Sequence, residues 1–387
     1  MAGTTTSMAH AAAEAPVQQL AEQLRETREP LRIVGSGSWL HGGGPWGAAT
    51  PLATRALQGV VEYAPGDLVI TVRAGTTLAE LAAVTGEAGQ MFALAPYGSP
   101  NATVGAAVAT ATPGPLSYGD YIMRDLVLGV QVVTGNGDIT RAGGRVVKNV
   151  AGFDLVRLHT GAFGTLGVIT EVSLRLHAVP MRDAVLVGTL RHATSGGIDD
   201  ILPRMLAQRA PLPMLLRCTP HEAPELWARV SGNAARAAAL EAQLESFGVA
   251  DVHPVAPPVV QQTLHHTDTN SIILRARTHR SDAVPFVLAA IDAFPQGTLL
   301  YDPAFGSLRV TIPFASATAI DRDIASWYRL AAARGAMHTI SLVVDQGRTV
   351  TTPRLPLDEG IKRAFDARDM LNPLAPLVPT SLAHPEV

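Results

Sequence analysis

Three stretches of this chain are almost bare of side chains, and they limit its fold more than any other feature. The first closes an apolar run, Ile33-Val34-Gly35-Ser36-Gly37-Ser38. The second runs from Ala95 through Pro96, Thr103, Val104, Gly105 and Ala106 to Gly114, small nearly throughout. The third begins at Gly143-Gly144 and ends in Gly161-Ala162-Phe163-Gly164-Thr165-Leu166-Gly167-Val168-Ile169. Glycine lacks the Cβ that holds a backbone away from its neighbours, so main chain in such stretches can approach other main chain or a flat ligand. A strand ending in Gly-Ser-Gly-Ser also offers successive N–H groups, as a pyrophosphate requires. Each amide bonded to a charged phosphate oxygen contributes roughly 1.5–3 kcal/mol. Several together offset much of the entropy cost of fixing a dinucleotide. Taken singly, each stretch is also compatible with a tight turn or a close-packed element.

Two common nucleotide sites do not fit. A dinucleotide fingerprint of the Rossmann type needs a third glycine three residues after the second, opening a helix. Leu40 stands there, and His41-Gly42-Gly43-Gly44-Pro45 is a poor helix start. No Gly-Lys-Ser or Gly-Lys-Thr occurs, so the chain has no P-loop.

At 387 residues the chain is long enough for two domains or more, and 47% hydrophobic content suits real cores. Its formal charge of −3 gives no basic excess for nucleic acid. The one cysteine, Cys218, rules out an internal disulfide framework and any thiolate cluster for zinc or iron–sulfur within this chain; on a strand beside Leu215 and Leu216 it reads as a small core residue. The start, Met1-Ala2-Gly3-Thr4-Thr5, lacks the pattern of a signal peptide, and no apolar run approaches a transmembrane segment. The expected location is cytoplasmic, with contact to the inner membrane only through partners.

Periodicity organises the rest. Residues 1–13 read as a frayed end, followed by a helix from Glu14 to about Arg28. Strands are expected at Leu31–Val34, Gly59–Tyr63, Leu68–Arg73, Asp125–Thr134, Asp138–Ala142 and Val168–Leu176. Thr77 with Glu80 three residues on marks the start of a helix ending near Gly86. After Pro180 glycines thin out. Strand-like runs (Ala184–Leu190, Met214–Cys218, Ile272–Ala276, Leu308–Pro313, Thr339–Val344) then alternate with helix-like ones (Ala234–Phe247, Asp282–Phe294, Ala315–Arg334). This predicts an α+β chain whose second domain is an open sheet covered by helices on one face. The expected division is 1–180, 181–350 and a C-terminal segment, 351–387.

Taken together the three bare stretches resemble the FAD-binding domain of the vanillyl-alcohol oxidase, or p-cresol methylhydroxylase (PCMH), superfamily. The run Gly143-Gly144-Arg145-Val146-Val147-Lys148-Asn149-Val150-Ala151-Gly152-Phe153-Asp154, with Gly164-Thr165-Leu166-Gly167-Val168-Ile169-Thr170-Glu171, is similar to the FAD-binding subunits of bacterial glycolate oxidases. Arg124-Asp125-Leu126-Val127-Leu128-Gly129, Gln90-Met91, Lys362-Arg363-Ala364-Phe365-Asp366 and Met370-Leu371-Asn372-Pro373 fit the same family. The resemblance covers residues 30–180 best and the middle only weakly.

It implies a PCMH-type FAD-binding domain of two subdomains, an α+β cap with an antiparallel helix-covered sheet, and a C-terminal segment returning to the FAD domain. It implies that Gly35, Ser36, Gly37 and Ser38 hold the pyrophosphate, that Pro96, Thr103, Val104 and Gly105 lie beside the flavin, and that Gly161, Gly164, Gly167, Val168 and Ile169 meet the adenosine half. Some relatives bind FAD covalently through a histidine of the first loop. Ser38 and Trp39 stand at that place here, with His41 nearby, so non-covalent FAD is expected.

Hydroxy-acid dehydrogenases of the superfamily also carry a His-x-Gly-Asp-Gly-Asn-x-His run and a Glu-His-Gly run. Neither is present, so no catalytic residue is assigned. The adjacent His265-His266 does not have the spacing of a metal site, and no metal is expected. Arg145 and Lys148 read as a solvated basic loop, and Asp154 as a residue ordering its own turn. The implied partners are a paralogous FAD subunit, an iron–sulfur subunit and a small 2-hydroxy acid. A self-contained FAD oxidase of another alcohol or acid, and a flavin-free assembly subunit, remain open alternatives.

Overall fold

In the computed structural model the described residues are 2–37, 49–94, 99–111, 114, 116, 122–144, 154–190, 196–207, 213–265, 271–313, 317–334, 337–343, 349–351 and 356–372. Of the motifs above, Ser38, Trp39, His41, Pro96, Arg145, Lys148 and His266 lie outside them.

The first domain contains α1 (Ala2–Glu26), β1 (Leu31–Val34), β2 (Thr50–Ala53), β3 (Val60–Ala64), β4 (Val69–Arg73), α2 (Leu78–Glu87) and β5 (Gln90–Met91). It continues through α3 (Val104–Thr110), α4 (Met123–Leu126), β6 (Val127–Thr134), β7 (Ile139–Gly143), α5 (Leu155–His159), β8 (Gly167–Arg175) and β9 (His177–Ala178). Its sheets differ in kind. β1 and β2 pair in parallel, and Leu371 bridges Leu31 in parallel on the other side. The larger sheet is antiparallel, in the order β3-β4-β8-β6-β7.

Two cores flank that larger sheet. Ile70, Val72, Val130, Val132, Val172 and Leu174 pack against α2 and α3 through Leu81, Val104 and Val108. Val133 and Val168 meet Val17, Leu20, Ala21 and Leu24 of α1, with Leu31 and Leu371. The α2 start is as the sequence predicts: Thr77 Oγ1 accepts from the Glu80 amide, and Glu80 accepts from the Thr77 amide at 2.7 Å. The Thr77 amide, and with it the Thr77 hydroxyl at 2.8 Å, donates to the Glu80 carboxylate and holds that carboxyl below its usual range.

Two expectations are corrected here. The helix does not begin at Glu14 after a frayed end but runs from Ala2, where the strong helix formers Met8, Ala9 and Ala11–Ala13 precede Glu14. The segment read as one strand from Asp125 opens instead with the helical turn α4. Met123 and Leu126, three apart, are both buried, which is helical rather than strand spacing.

The second domain contains β10 (Arg182–Leu190), α6 (Gly196–Leu206), β11 (Met214–Cys218), β12 (Glu225–Gly232), α7 (Ala234–Ser246), β13 (Val249–Val255), α8 (Pro257–Val260) and β14 (Ser271–Arg277). There follow α9 (Ala283–Ala293), β15 (Thr298–Asp302), β16 (Ser307–Pro313), α10 (Ala317–Ala333), β17 (Met337–Val343) and β18 (Thr349–Thr351), and after them α11 (Pro356–Phe365) returns to the first domain, with Lys362 on Thr165 and Phe365 on His159. The strands form an antiparallel sheet ordered β13-β10-β12-β11-β15-β16-β14-β17-β18. One face, with Leu216, Leu226, Leu274, Tyr301 and Val310, is buried under α6, α7, α9 and α10 through Leu202, Leu244, Phe286 and Trp327. The fold is α+β, with the long helices α6, α7, α9 and α10 on one side of this sheet; the short α8 and the helical turn Gln261–His265 lie on the other, through Val260 and Leu264.

The opposite face carries Val185, Val187, Leu215, Trp227 and Leu300, and these cluster with Leu116 of the first domain. Arg229 on β12 reaches the same place, its Nη1 donating to the Leu116 carbonyl at 3.2 Å. The face opposite the four long helices is therefore turned toward the first domain.

Candidate functional site

The bare stretches converge. Gly35 follows β1 directly and abuts Thr103, so closely that a Cβ on the glycine would overlap the threonine Oγ1. Thr103 caps α3, accepting from the Ala106 amide at 3.3 Å. The far end of α3 receives the third stretch: the Gly161 amide donates to the Val108 carbonyl at 3.0 Å and the Phe163 amide to that of Ala109 at 2.8 Å. Gly164 then comes back to the first strand, where a Cβ would sit 2.9 Å from Ile33 Cδ1. Loop, helix and loop thus close a ring on β1.

Individual positions differ in what their bareness serves. Gly37, Gly161 and Gly164 have φ of 81°, 84° and 68°, the left-handed region that favours glycine. Gly105 packs onto Ala74, its amide donating to the Ala74 carbonyl at 2.8 Å, so its missing side chain admits a protein backbone. Gly167, Val168 and Ile169 stand in β8, paired with Thr134, Val133 and Val132 of β6. Val168 and Ile169 point into the two cores on either side of the sheet. Val104 is buried in the α2–α3 core, while Ser36 is exposed between the half-buried Gly35 and Gly37. Asp154 caps α5 by accepting from the Arg157 amide at 3.0 Å, and so orders its own turn. Cys218 is buried under the helices of the second domain, and burial pushes its thiol up to about 12.

The C-terminal segment also enters the ring. Asn372 Oδ1 accepts from the Ile33 amide at 2.7 Å and Nδ2 donates to the Phe163 carbonyl at 2.6 Å. Behind it, Lys362 Nζ donates to the Thr165 and Leu371 carbonyls at 2.6 and 2.9 Å and pairs with Asp366 at 2.7 Å. Arg368 ties the same segment to the Leu24, Thr27 and Gly135 carbonyls.

Sequence reading missed a second feature, an arginine row across the second sheet. Arg217 lies opposite Glu225 and Leu300, Leu300 opposite Arg309, and Arg309 opposite Arg275. Residues directly opposite one another share a face. Leu300 and Leu215, two residues before Arg217, are on the face turned toward the first domain, so the three arginines are too. Arg217 pairs with Glu225 at 2.7 Å, and the same Glu225 oxygen accepts from Trp227 Nε1 at 2.9 Å. Arg309 is only 6% exposed. Arg275 and Arg309 have their own partners, yet a guanidinium carries five donors, so an engaged arginine still has N–H groups to offer an anion. Single arginines flanked by apolar residues on short strands gave no signal; only the register aligns them.

Among the described residues no group of acidic, histidine or cysteine side chains is arranged to hold a metal, and no helix is long and apolar enough to cross a membrane.

These features have counterparts in known proteins. The FAD binding domain family matches residues 7–143, so the chain carries an FAD-binding domain and FAD is its cofactor. The more particular resemblance also stands: glycolate oxidase subunit GlcE of Escherichia coli (strain K12) is 39% identical over 221 residues, 56% of this chain and 60% of that protein. Glycolate oxidase subunit GlcD of Bacillus subtilis (strain 168) is 32% identical over 182 residues, covering 46% and 38%. The mitochondrial D-lactate dehydrogenase (cytochrome) of Arabidopsis thaliana is 40% identical over 121 residues, covering 31% and 21%. The matched region is thus less than two thirds of each relative's length. Of solved structures, an alkyldihydroxyacetonephosphate synthase superposes over 93% of this chain and 74% of that one with a TM-score of 0.64 at 14% identity, a likeness of fold.

The ring fits such a group in what it brings together: at Gly35, Gly161 and Gly164 the space of a Cβ is filled by Thr103, Ala111 and Asn372 with Ile33, so the bare stretches close on one another, and Gly37 takes a backbone that side chains disfavour.

Proposed function

We propose that this chain is the FAD-binding subunit of a glycolate-oxidase-like dehydrogenase and oxidises, or relays electrons from, a small 2-hydroxy acid. The ring that joins Gly35, Thr103, α3, Gly161, Gly164 and Ile33 carries the reading, because it brings the side-chain-poor stretches to one place. In this assignment Gly35, Ser36, Gly37 and Ser38 hold the pyrophosphate, with Pro96, Thr103, Val104 and Gly105 beside the flavin. The loop Gly161–Gly164 and the β8 start at Gly167, Val168 and Ile169 support the adenosine half by their main chain. The chemistry that FAD would supply there is two-electron oxidation of the carbon bearing the substrate's hydroxyl.

The chain's own contribution beyond binding is the arginine row on the face of the cap turned toward the FAD domain. Arg217, Arg275 and Arg309 place positive charge there, with Glu225 as the carboxylate of the row, and that balance favours an anionic substrate such as a carboxylate. With one cysteine in the chain, an iron–sulfur relay would be supplied by a partner, and a paralogous FAD subunit would be the other. FAD attachment is non-covalent in this reading, and the complex is cytoplasmic, bound to the inner membrane through its partners.

The test is purification of the untagged complex and of the isolated chain. The expected result is a yellow chain whose colour stays in the supernatant on acid precipitation and whose partners carry iron. Flavin bleached by glycolate in the isolated chain and reoxidised by air would favour a self-contained oxidase. A colourless chain that takes up no FAD would overturn the proposal.

A further inference from the structure

We propose that Asn372 is a positioning residue for the dinucleotide, a clamp from the C-terminal segment that sets the separation between the first and third loops. The inference rests on the loop assignment above. Its basis is the division of labour within the segment 370–372. Docking of the segment is already secured without the Asn372 side chain. The Leu31 amide donates to the Met370 carbonyl at 2.7 Å, the Asn372 amide donates to the Leu31 carbonyl at 2.8 Å, and Leu371 is fully buried in the α1 core. The side chain is spent elsewhere. Its oxygen takes the Ile33 amide, two residues before Gly35, and its nitrogen gives to the Phe163 carbonyl, next to Gly164.

One planar amide thus spans two loops that no strand pairing joins. Its reach fixes their spacing, because the carboxamide oxygen and nitrogen are rigidly held on one carbon. Asn372 adopts φ 41°, a left-handed backbone that asparagine tolerates better than most side chains and that aims the amide at the loops. A Cβ on Gly164 would sit 2.8 Å from Asn372 Nδ2, so bareness at Gly164 makes room for the clamp. Lys362 reinforces it by donating to Thr165 in the third loop and to Leu371 in the segment. The consequence is reciprocal coupling: if the clamp sets loop spacing for the dinucleotide, the dinucleotide in turn stabilises the docked segment.

The experiment uses the full chain stripped of flavin. It measures FAD affinity by flavin fluorescence and amide hydrogen exchange over 366–372 with and without FAD. In the parent protein, saturating FAD is expected to slow exchange in that segment. Asn372→Gly keeps the left-handed backbone and removes the amide; it should bind FAD roughly tenfold more weakly and lose the FAD-dependent slowing even at saturation. Asn372→Asp keeps the acceptor for Ile33 but sets a buried carboxylate oxygen against the Phe163 carbonyl, and should weaken FAD at least as much as Asn372→Gly. A merely structural role would lower the apo-protein's melting temperature without uncoupling exchange from FAD. Parent protein that binds FAD with no change in 366–372, or an Asn372→Gly variant with unchanged affinity, overturns the clamp and leaves the FAD assignment standing. Parent protein that binds no FAD overturns both, and the parent exchange measurement decides the matter even if a variant does not fold.

Discussion

Gly35 and Thr103 are locked together: the hydrogen of the glycine faces the threonine hydroxyl at a separation that excludes a methyl group. The first loop and the α3 cap can therefore meet only while residue 35 is glycine. Gly35→Ala must push one of them away, and because Thr103 also caps α3 the displacement travels into the helix. FAD affinity measured on the apo-protein should fall by about tenfold or more, for a strain of about 1–3 kcal/mol. The double variant Gly35→Ala/Thr103→Ala relieves the overlap. Thr103→Ala alone should cost about 1 kcal/mol as a lost cap, and the double should be less damaged than the sum of the singles. Additive losses would mean that the contact does not govern the site.

His159 gives the first domain an acid sensitivity. It is 3% exposed in α5, its ring set edge-on to Phe365 with centroids 5.4 Å apart, and burial lowers its pKa from 6.5 to about 4. Between those values the unfolded chain takes up a proton that the folded chain refuses. Stability is therefore lost as pH falls from about 6.5 to about 4 and changes no further from this group below that. The shift corresponds to about 3 kcal/mol at most. His159→Phe retains an aromatic edge against Phe365 and removes the titration. Melting temperatures from pH 7 to pH 4 should fall less steeply in the variant, and parallel curves would rule the histidine out as the cause.

Much of this was legible where local chemistry decides. Thr77 and Glu80 predicted their capping box, and between the expected strands 125–134 and 138–142 the run Gly135-Asn136-Gly137 is a hairpin signal that the β6–β7 pair matches, because each signal lies within a few residues of its effect. The first, second and third bare stretches announced close approach, but nothing local distinguishes approach to a ligand from approach to Ala74 or Val132, the partners of Gly105 and Gly167. Strands β2, β12, β13 and β15 escaped notice for related reasons. β13 contains Pro254, which reads against a strand and is accommodated because β13 is the sheet edge. β12 breaks the two-residue alternation, with Leu226, Trp227 and Ala228 all buried between a helix-covered core and the interdomain face. The arginine row was invisible because Arg217, Arg275 and Arg309 are far apart in sequence and meet only through strand register.

That row makes a prediction of its own. An anion seated between the cap sheet and the flavin would be drawn by Arg309 and Arg275, which face each other across β16 and β14. Oxalate, a dicarboxylate that cannot donate a hydride, is a suitable probe, since its binding near a flavin shifts the absorption bands without turnover. Arg309→Gln should weaken oxalate roughly tenfold or more, as expected when a charge-assisted hydrogen bond is lost, while leaving FAD affinity unchanged. Arg141, on the far sheet of the first domain and paired with Glu14 at 2.9 Å, serves as the control, and Arg141→Gln should not alter oxalate binding. Equal effects from both substitutions would assign the row a general electrostatic influence instead of a binding role.

The cap is held down by a second arginine device. Arg229 forms a two-toothed pair with Asp183 on the neighbouring strand, at 2.7 and 2.6 Å, and uses its remaining Nη1 to reach the Leu116 carbonyl of the first domain. The aspartate fixes the guanidinium plane, which is what lets the third bond cross between domains with a defined direction. Leu116 itself adopts φ 57°, and its side chain is buried against Val187, Trp227 and Leu300. Arg229→Lys keeps the charge but not the fork. It should leave the second domain's own sheet intact while loosening its contact with the first, and so expose the flavin. The measurement is quenching of flavin fluorescence by iodide, which should rise in Arg229→Lys and rise at least as far in Asp183→Asn, where the fork is present but unguided. Both residues have further contacts, so the discriminating result is the pair: if Arg229→Lys increases quenching and Asp183→Asn does not, orientation by the aspartate is not what holds the cap in place.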